Sequence, residues 1–201
     1  MKPTTAPSLA PVGFQFTDAD IAATVDAWLA DAATTEAQYG HPSTWDVSLV
    51  TNFRNLFRVG AGYRATAFNA DISGWDTSSA TRMNEMFSGN DAFDWDIGDW
   101  DVSNVEWCIG VFRNAASFNQ DLSRWDLSQC KNTNGMFVGA TSFNQDLSAW
   151  DVYNWPTTNL EWMFAFTAMD QDLGWRLRDD VSFTNIAVNA PCEATNCGVA
   201  Y

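Results

Sequence analysis

Histidine is almost missing from this chain: His41 stands alone. That leaves no multi-histidine metal site and little for Ser-His or Cys-His catalysis. Basic residues are scarce as well, 10 Lys and Arg against 25 Asp and Glu, for a formal charge of −15. A surface of that sign repels phosphate backbones instead of releasing their counterions, so no nucleic-acid partner is expected. No apolar run approaches the roughly 18 residues of a membrane span, and no membrane insertion is expected. In MKPTTAPSLAPVG prolines stand where a secretory signal needs continuous apolar residues, so no signal peptide is read there. Disorder is excluded by what is present, 46% hydrophobic and 14% aromatic residues.

The strongest feature is an internal period. Tryptophan recurs at Trp45, Trp75, Trp100, Trp125, Trp150 and Trp175, at spacings of 30, 25, 25, 25 and 25. A longer phrase repeats around it, clearest in FNQDLSRWDLS (118–128) and FNQDLSAWDVY (143–153). Phe57, Phe87, Phe112 and Phe137 follow twelve residues after their tryptophans, with Phe164 displaced by two residues that Trp155 and Pro156 mark. The longer first unit reads as a loop insertion in VGAGYRATA. A unit of about 25 residues cannot bury its own apolar side chains, so neighbours have to stack and share one core. Apolar residues at offsets five, eight, twelve and fifteen from each Trp have helical spacing, and Ser48, Ser78, Ser103 and Ser128 stand where a helix N-cap belongs. D-[IL]-S-x-W-D-V reads as a brief extended segment.

The expected fold is therefore α/β, a leucine-rich-repeat-like solenoid of about five short strand-plus-helix coils with a helical N-cap and an irregular C-cap. Residues 1–13 read as a Pro/Thr-rich linker and 14–201 as a single solenoid domain. Within it, 14–44 form the N-cap helix and loop, with Thr17 as helix cap, 45–175 the repeats and 176–201 the C-cap.

In MFVGATSFNQDLSAWDV (136–152) and VFRNAASFNQDLSRWDL (111–127) the repeat resembles that of the BspA-like leucine-rich-repeat surface-protein family. The resemblance spans about 45–175. It implies a secreted or cell-surface scaffold that binds proteins or matrix, and it implies no catalytic residues. Thr133, the Trp155-Pro156 insertion and Arg176 depart from the family pattern.

The acids form two columns, one of Asp46, Asp76, Asp101, Asp126 and Asp151 just after each Trp, the other of Asp71, Asp96, Asp121, Asp146 and Asp172 before it. They are expected to accept backbone amides in Asx-turns. No metal is expected, because both the glycine-rich calcium nonapeptide and the EF-hand pattern are missing. The Trp column reads as architecture. Trp28, Trp95, Trp107, Trp155 and Trp162 lie off that column. Trp95 and Trp107 replace polar residues of the sister units, Gln120 and Asn132, and are the candidate binding residues. His41 reads as a turn residue. Cys192 and Cys197 are expected to form a disulfide, whereas Cys108 and Cys130, three positions out of step, are expected as buried free thiols.

The expected function is a non-catalytic, extracellular or cell-surface interaction module, an adhesion scaffold without cofactor that binds protein or glycan through one face. The alternative is a structural element that self-associates or packs into a larger particle.

Overall fold

The computed structural model describes residues 13–64, 67–157 and 159–201. The stretch read as a Pro/Thr-rich linker lies, except for Gly13, outside the described residues.

Successive units stack one on the next through a backbone ladder that can be followed atom by atom. In the Trp75 unit, the amides of Met83, Glu85, Phe87 and Gly89 donate forward to the carbonyls of Trp107, Ile109, Val111 and Arg113, at 2.9, 2.8, 2.8 and 2.7 Å. The amides between them, those of Met86, Ser88 and Asn90, turn back on Met83, Glu85 and Phe87. The carbonyls of Arg82, Asn84, Met86 and Ser88 accept from the previous unit's Phe53, Asn55, Phe57 and Val59. Apart from the Asn84 amide, every amide and carbonyl from Met83 to Ser88 thus has a backbone partner, as burial favours.

This corrects the expected strand-plus-helix coil. Among the described residues there is no β-strand, only isolated parallel bridges such as Asn52 to Arg82 and Arg82 to Trp107. No α-helix occurs in the repeats either; α1 (Ile21–Ala30) and α2 (Ala32–Tyr39) precede them, and one 3-10 turn spans Val152–Asn154. The reason lies ten and fourteen residues after most of the tryptophans. Asn55, Glu85, Gly110, Gly135 and Asn185 have φ of 59, 55, 57, 57 and 59°, and Gly89, Asn114, Gly139 and Asn189 have 71, 56, 73 and 57°. A left-handed residue every fourth position ends any helix and sets up overlapping turns that need positive φ at their third residue. The apolar spacing of three and four comes from turns four residues long. The serines cap no helix: Ser48, Ser78, Ser103 and Ser128 each donate their amide to the Asp two residues before.

The core consists of aromatic columns. Each repeat tryptophan is 4% exposed. Trp75 lies 6.3 Å from Trp100 with the rings 5° from parallel. Each indole also locks its coil to the one before. The carbonyls of Ile72, Ile97, Leu122 and Leu147 each accept the amide of their own unit's Trp and the Nε1–H of the next, the latter at 3.2, 3.0, 2.9 and 3.1 Å. Phe87, Phe112 and Phe137 stack at 5.5 and 5.4 Å. A second column, Phe93, Phe118 and Phe143, packs beside them at about 4 Å (4.1, 4.0 and 4.0 Å). Stacked aromatic pairs add roughly 0.5–1.5 kcal/mol each beyond their burial.

At the N-terminal end Phe16 donates to the Asp46 carbonyl (2.8 Å), and Asp18 accepts the amides of Thr51 (2.7 Å) and Asn52 (3.0 Å). The single cap helix expected here is two. Asp31, at φ −154°, interrupts it and accepts the Thr34 amide to start α2. The cap residue of α1 is Asp20, and Thr17 closes the turn that leads into it: its hydroxyl accepts the Ala19 amide, its carbonyl accepts the Ile21 amide, and its own amide and hydroxyl donate to Asp20. At the other end the ladder continues past Trp175. Leu160, Trp162, Phe164 and Phe166 donate to Ser182, Thr184, Ile186 and Val188, so the expected irregular cap begins with a further coil.

All four cysteines are paired. Cys192 bonds Cys197 across 4.8 Å between Cα atoms. Cys108 bonds Cys130 across 6.4 Å, which corrects the expectation of free thiols. Offsets five and eight flank the same bend in a coil of turns. Successive coils bring them together although their sequence positions are out of step, at a separation disulfides tolerate.

Candidate functional site

Both acid columns lie on the surface, each carboxylate closing a local turn. Oδ1 of Asp101 accepts the amide and hydroxyl of Ser103 at 3.0 and 2.6 Å. Asp46, Asp71 and Asp76 bind Ser48, Ser73 and Ser78 in the same way. Asp121, Asp126 and Asp146 accept the amides of Ser123, Ser128 and Ser148, and Asp96 and Asp172 those of Gly98 and Gly174. Asp151 instead takes the side-chain amide of Asn154. Hydrogen bonds from the serine hydroxyl and amide hold the Asp46, Asp71, Asp101 and Asp146 carboxyls below their ordinary range. The Ser123 amide does so first for Asp121, aided by the Ser123 hydroxyl. No three His, Cys, Asp or Glu side chains converge on a metal-sized site among the described residues.

Trp95 and Trp107 lie apart, on different rows of the coil. Trp95 is 40% exposed. Its indole donates to the Asn69 carbonyl at 3.4 Å, the bond that Gln120 and Gln145 make to Asp94 and Asn119 in the sister units. Trp107 is half-buried, bonds Met83 through its carbonyl, and lies under the Lys131 ammonium at 6.0 Å. His41 caps a 3-10 turn by accepting the Ser43 amide. Trp155 is core, packed 5.3 Å from Trp150, and Trp28 packs on Phe68.

The surface residues that sequence reasoning missed belong to the fifth coil. Trp162 and Phe166 occupy the two left-handed positions, with φ of 61 and 59°, that sister coils mostly fill with glycine or asparagine. They are 38 and 47% exposed. A bulky L-residue there is strained by about 1–2 kcal/mol, and half-exposed rings recover only part of that by packing. With Val138, Asn134 and Arg113 they line a lateral cleft of about 420 Å³, within the size range of small-ligand sites. The Arg113 side chain lies against Gly110 and Gly135 of the third and fourth coils. A Cβ on either would meet the Arg113 guanidinium, 3.1 Å from Nε and 3.0 Å from Nη2 respectively. Arg113 therefore lies flat across two coils. Its Nε is buried without an acceptor, and Arg113 joins no carboxylate among the described residues. The sequence signal was available: aligning units on the buried phenylalanines Phe112, Phe137 and Phe164 places Trp162 opposite Gly110 and Gly135.

A column of stacked, turn-built coils with a lateral aromatic cleft defines the class as a repeat scaffold. The chain matches the family described as Mycoplasma protein of unknown function, DUF285, over residues 28–150 and again over 109–192. It belongs to that family. No curated protein and no solved structure matches it.

Proposed function

We propose that this protein is a non-catalytic interaction module that binds protein or glycan through the lateral face of its fifth coil, at a cell surface or outside the cell. The observation that carries the reading is Trp162 and Phe166, two exposed aromatics at backbone positions that favour glycine. Strain of that kind is characteristic of functional surfaces, because a purely architectural position would select the residue that suits its backbone. Two disulfides support an oxidising compartment. The repeat's resemblance to BspA-like surface proteins favours the same setting.

The test is a panel of immobilised glycans and extracellular-matrix proteins probed with the parent chain and with a Trp162→Gly, Phe166→Gly double variant. Ligands held by the parent and lost by the variant support the reading. A parent that binds nothing, or a variant that retains every ligand, refutes it.

A further inference from the structure

We infer that the cleft of Arg113, Trp162 and Phe166 takes a sugar ring bearing a carboxylate, an inference that rests on reading this face as the binding surface. Three observations select that chemistry. The backbone of the lining residues is spent: Trp162 and Phe166 donate to Thr184 (3.3 Å) and Val188 (2.9 Å), Arg113 and Val138 turn back on Gly110 and Gly135, and the Asn134 carbonyl accepts from Gly110. An extended peptide would find no row of free amides and carbonyls to pair with, so recognition falls to side chains. Those side chains are two aromatic faces and one guanidinium. Ring faces take the apolar C–H side of a pyranose, and a planar guanidinium takes a carboxylate with two parallel hydrogen bonds.

The third observation is electrostatic. In a chain with 25 carboxylates, Arg113 keeps its guanidinium out of any ion pair among the described residues, with a buried Nε that lacks an acceptor. Arg58 and Arg124 are paired with Glu85 and Asp99; Arg54, Arg82 and Arg176 join no ion pair among the described residues either, but of these unpaired arginines only Arg113 lines the aromatic cleft. A ligand carboxylate would meet the two Nη groups, which unlike Nε are not buried and have no protein acceptor among the described residues. The net charge of −15 opposes a long polyanion, and a cleft of about 420 Å³ has room for a single ring. The geometry therefore selects one acidic sugar in an otherwise neutral glycan.

The experiment titrates the full chain with a disaccharide ending in glucuronate and with its neutral glucose-ended counterpart, by calorimetry and ligand-observed NMR. The acidic sugar is expected to bind at least about tenfold more tightly than the neutral one. Arg113→Gln is expected to abolish that preference. Trp162→Gly is expected to weaken both sugars about tenfold or more without lowering Tm. Equal affinity for the two sugars, lost in Trp162→Gly, overturns the carboxylate inference and leaves the binding face standing. Binding of neither sugar also overturns it, and a short Asp/Glu peptide then judges the underlying reading. Peptide binding that Trp162→Gly removes preserves the face, and its absence takes the face down too.

Discussion

The third and fourth coils and the fifth share one backbone path, yet they occupy its two left-handed positions in opposite ways. Gly110, Asn114, Gly135 and Gly139 suit that backbone; Trp162 and Phe166 do not. Beneath the surface the coils are alike, with Phe112, Phe137 and Phe164 fully buried in one column. The difference is thus confined to the face. It teaches that the stack is stabilised from its aromatic interior and can carry a strained residue on its flank without losing the fold.

The largest effects should fall on the shared interior. Phe112→Ala leaves a cavity between Phe87, Phe118 and Phe137 and should cost about 3–5 kcal/mol, read as a lower denaturant midpoint at constant slope. Phe164→Ala should cost the same. A cheap Phe164→Ala would show that the fifth coil is not part of the column.

The disulfides come next. Cys108–Cys130 ties the third and fourth coils across 22 residues, whereas Cys192–Cys197 closes 5. Loop entropy alone assigns about 3 kcal/mol to the first and about 2 to the second. Replacing each pair by alanine should lower Tm in that order, and the reverse order would mean that chain entropy does not govern them.

At the left-handed positions the comparison predicts a change of sign. Gly135→Ala adds a Cβ at φ 57° and pushes it against Arg113, so it should destabilise by about 1–2 kcal/mol. Trp162→Gly relieves the same conformation and should leave Tm unchanged or higher. A large loss of stability in Trp162→Gly would show that the ring is held by packing and would remove the argument for a functional face.

How far the sequence carried differed by element. The period, the Trp column and the acid turns were legible because each residue type repeats at a fixed offset. The coil's secondary structure was not: turns four residues long and a helix both bury every third or fourth residue, and apolar spacing cannot separate them. Glycines at offset ten held the answer, since Gly110 and Gly135 sit where a helix needs its interior. The second disulfide was hidden because register in a coil of turns does not follow sequence offset. Trp95 and Trp107 were chosen for replacing polar residues. Trp95 reproduces the glutamine's hydrogen bond, so polarity was a poorer guide than backbone conformation, which singles out Trp162.

The smallest effects belong to the solvated acids. Asp126 is exposed and the amide it accepts can turn to water, so Asp126→Ala should cost only roughly 0.5 kcal/mol. A loss several times larger would show that the column is structural.

The pH dependence of the same surface separates local turns from overall charge. Asp46, Asp71, Asp101, Asp121 and Asp146 titrate below the ordinary 3.8 in the folded chain. Through that window the unfolded chain binds more protons, so stability rises with pH. The contribution is fully present above the unfolded value and lost as pH falls through the lowered folded ones. Repulsion within a chain of net charge −15 works the other way, easing as carboxylates protonate, but salt screens it. At high ionic strength the local turns should therefore dominate, and Tm should fall on acidification below about pH 4. The third coil supplies the control. Ser103 gives Asp101 both an amide and a hydroxyl, whereas the fifth coil has Tyr153 at that offset and Asp151 is met by Asn154. Ser103→Ala should raise the Asp101 midpoint in an NMR titration and leave that of Asp146 in place. An unmoved Asp101 midpoint would mean that the backbone amide alone holds the proton off, and that the serine hydroxyls of the repeat contribute nothing to the acid limb.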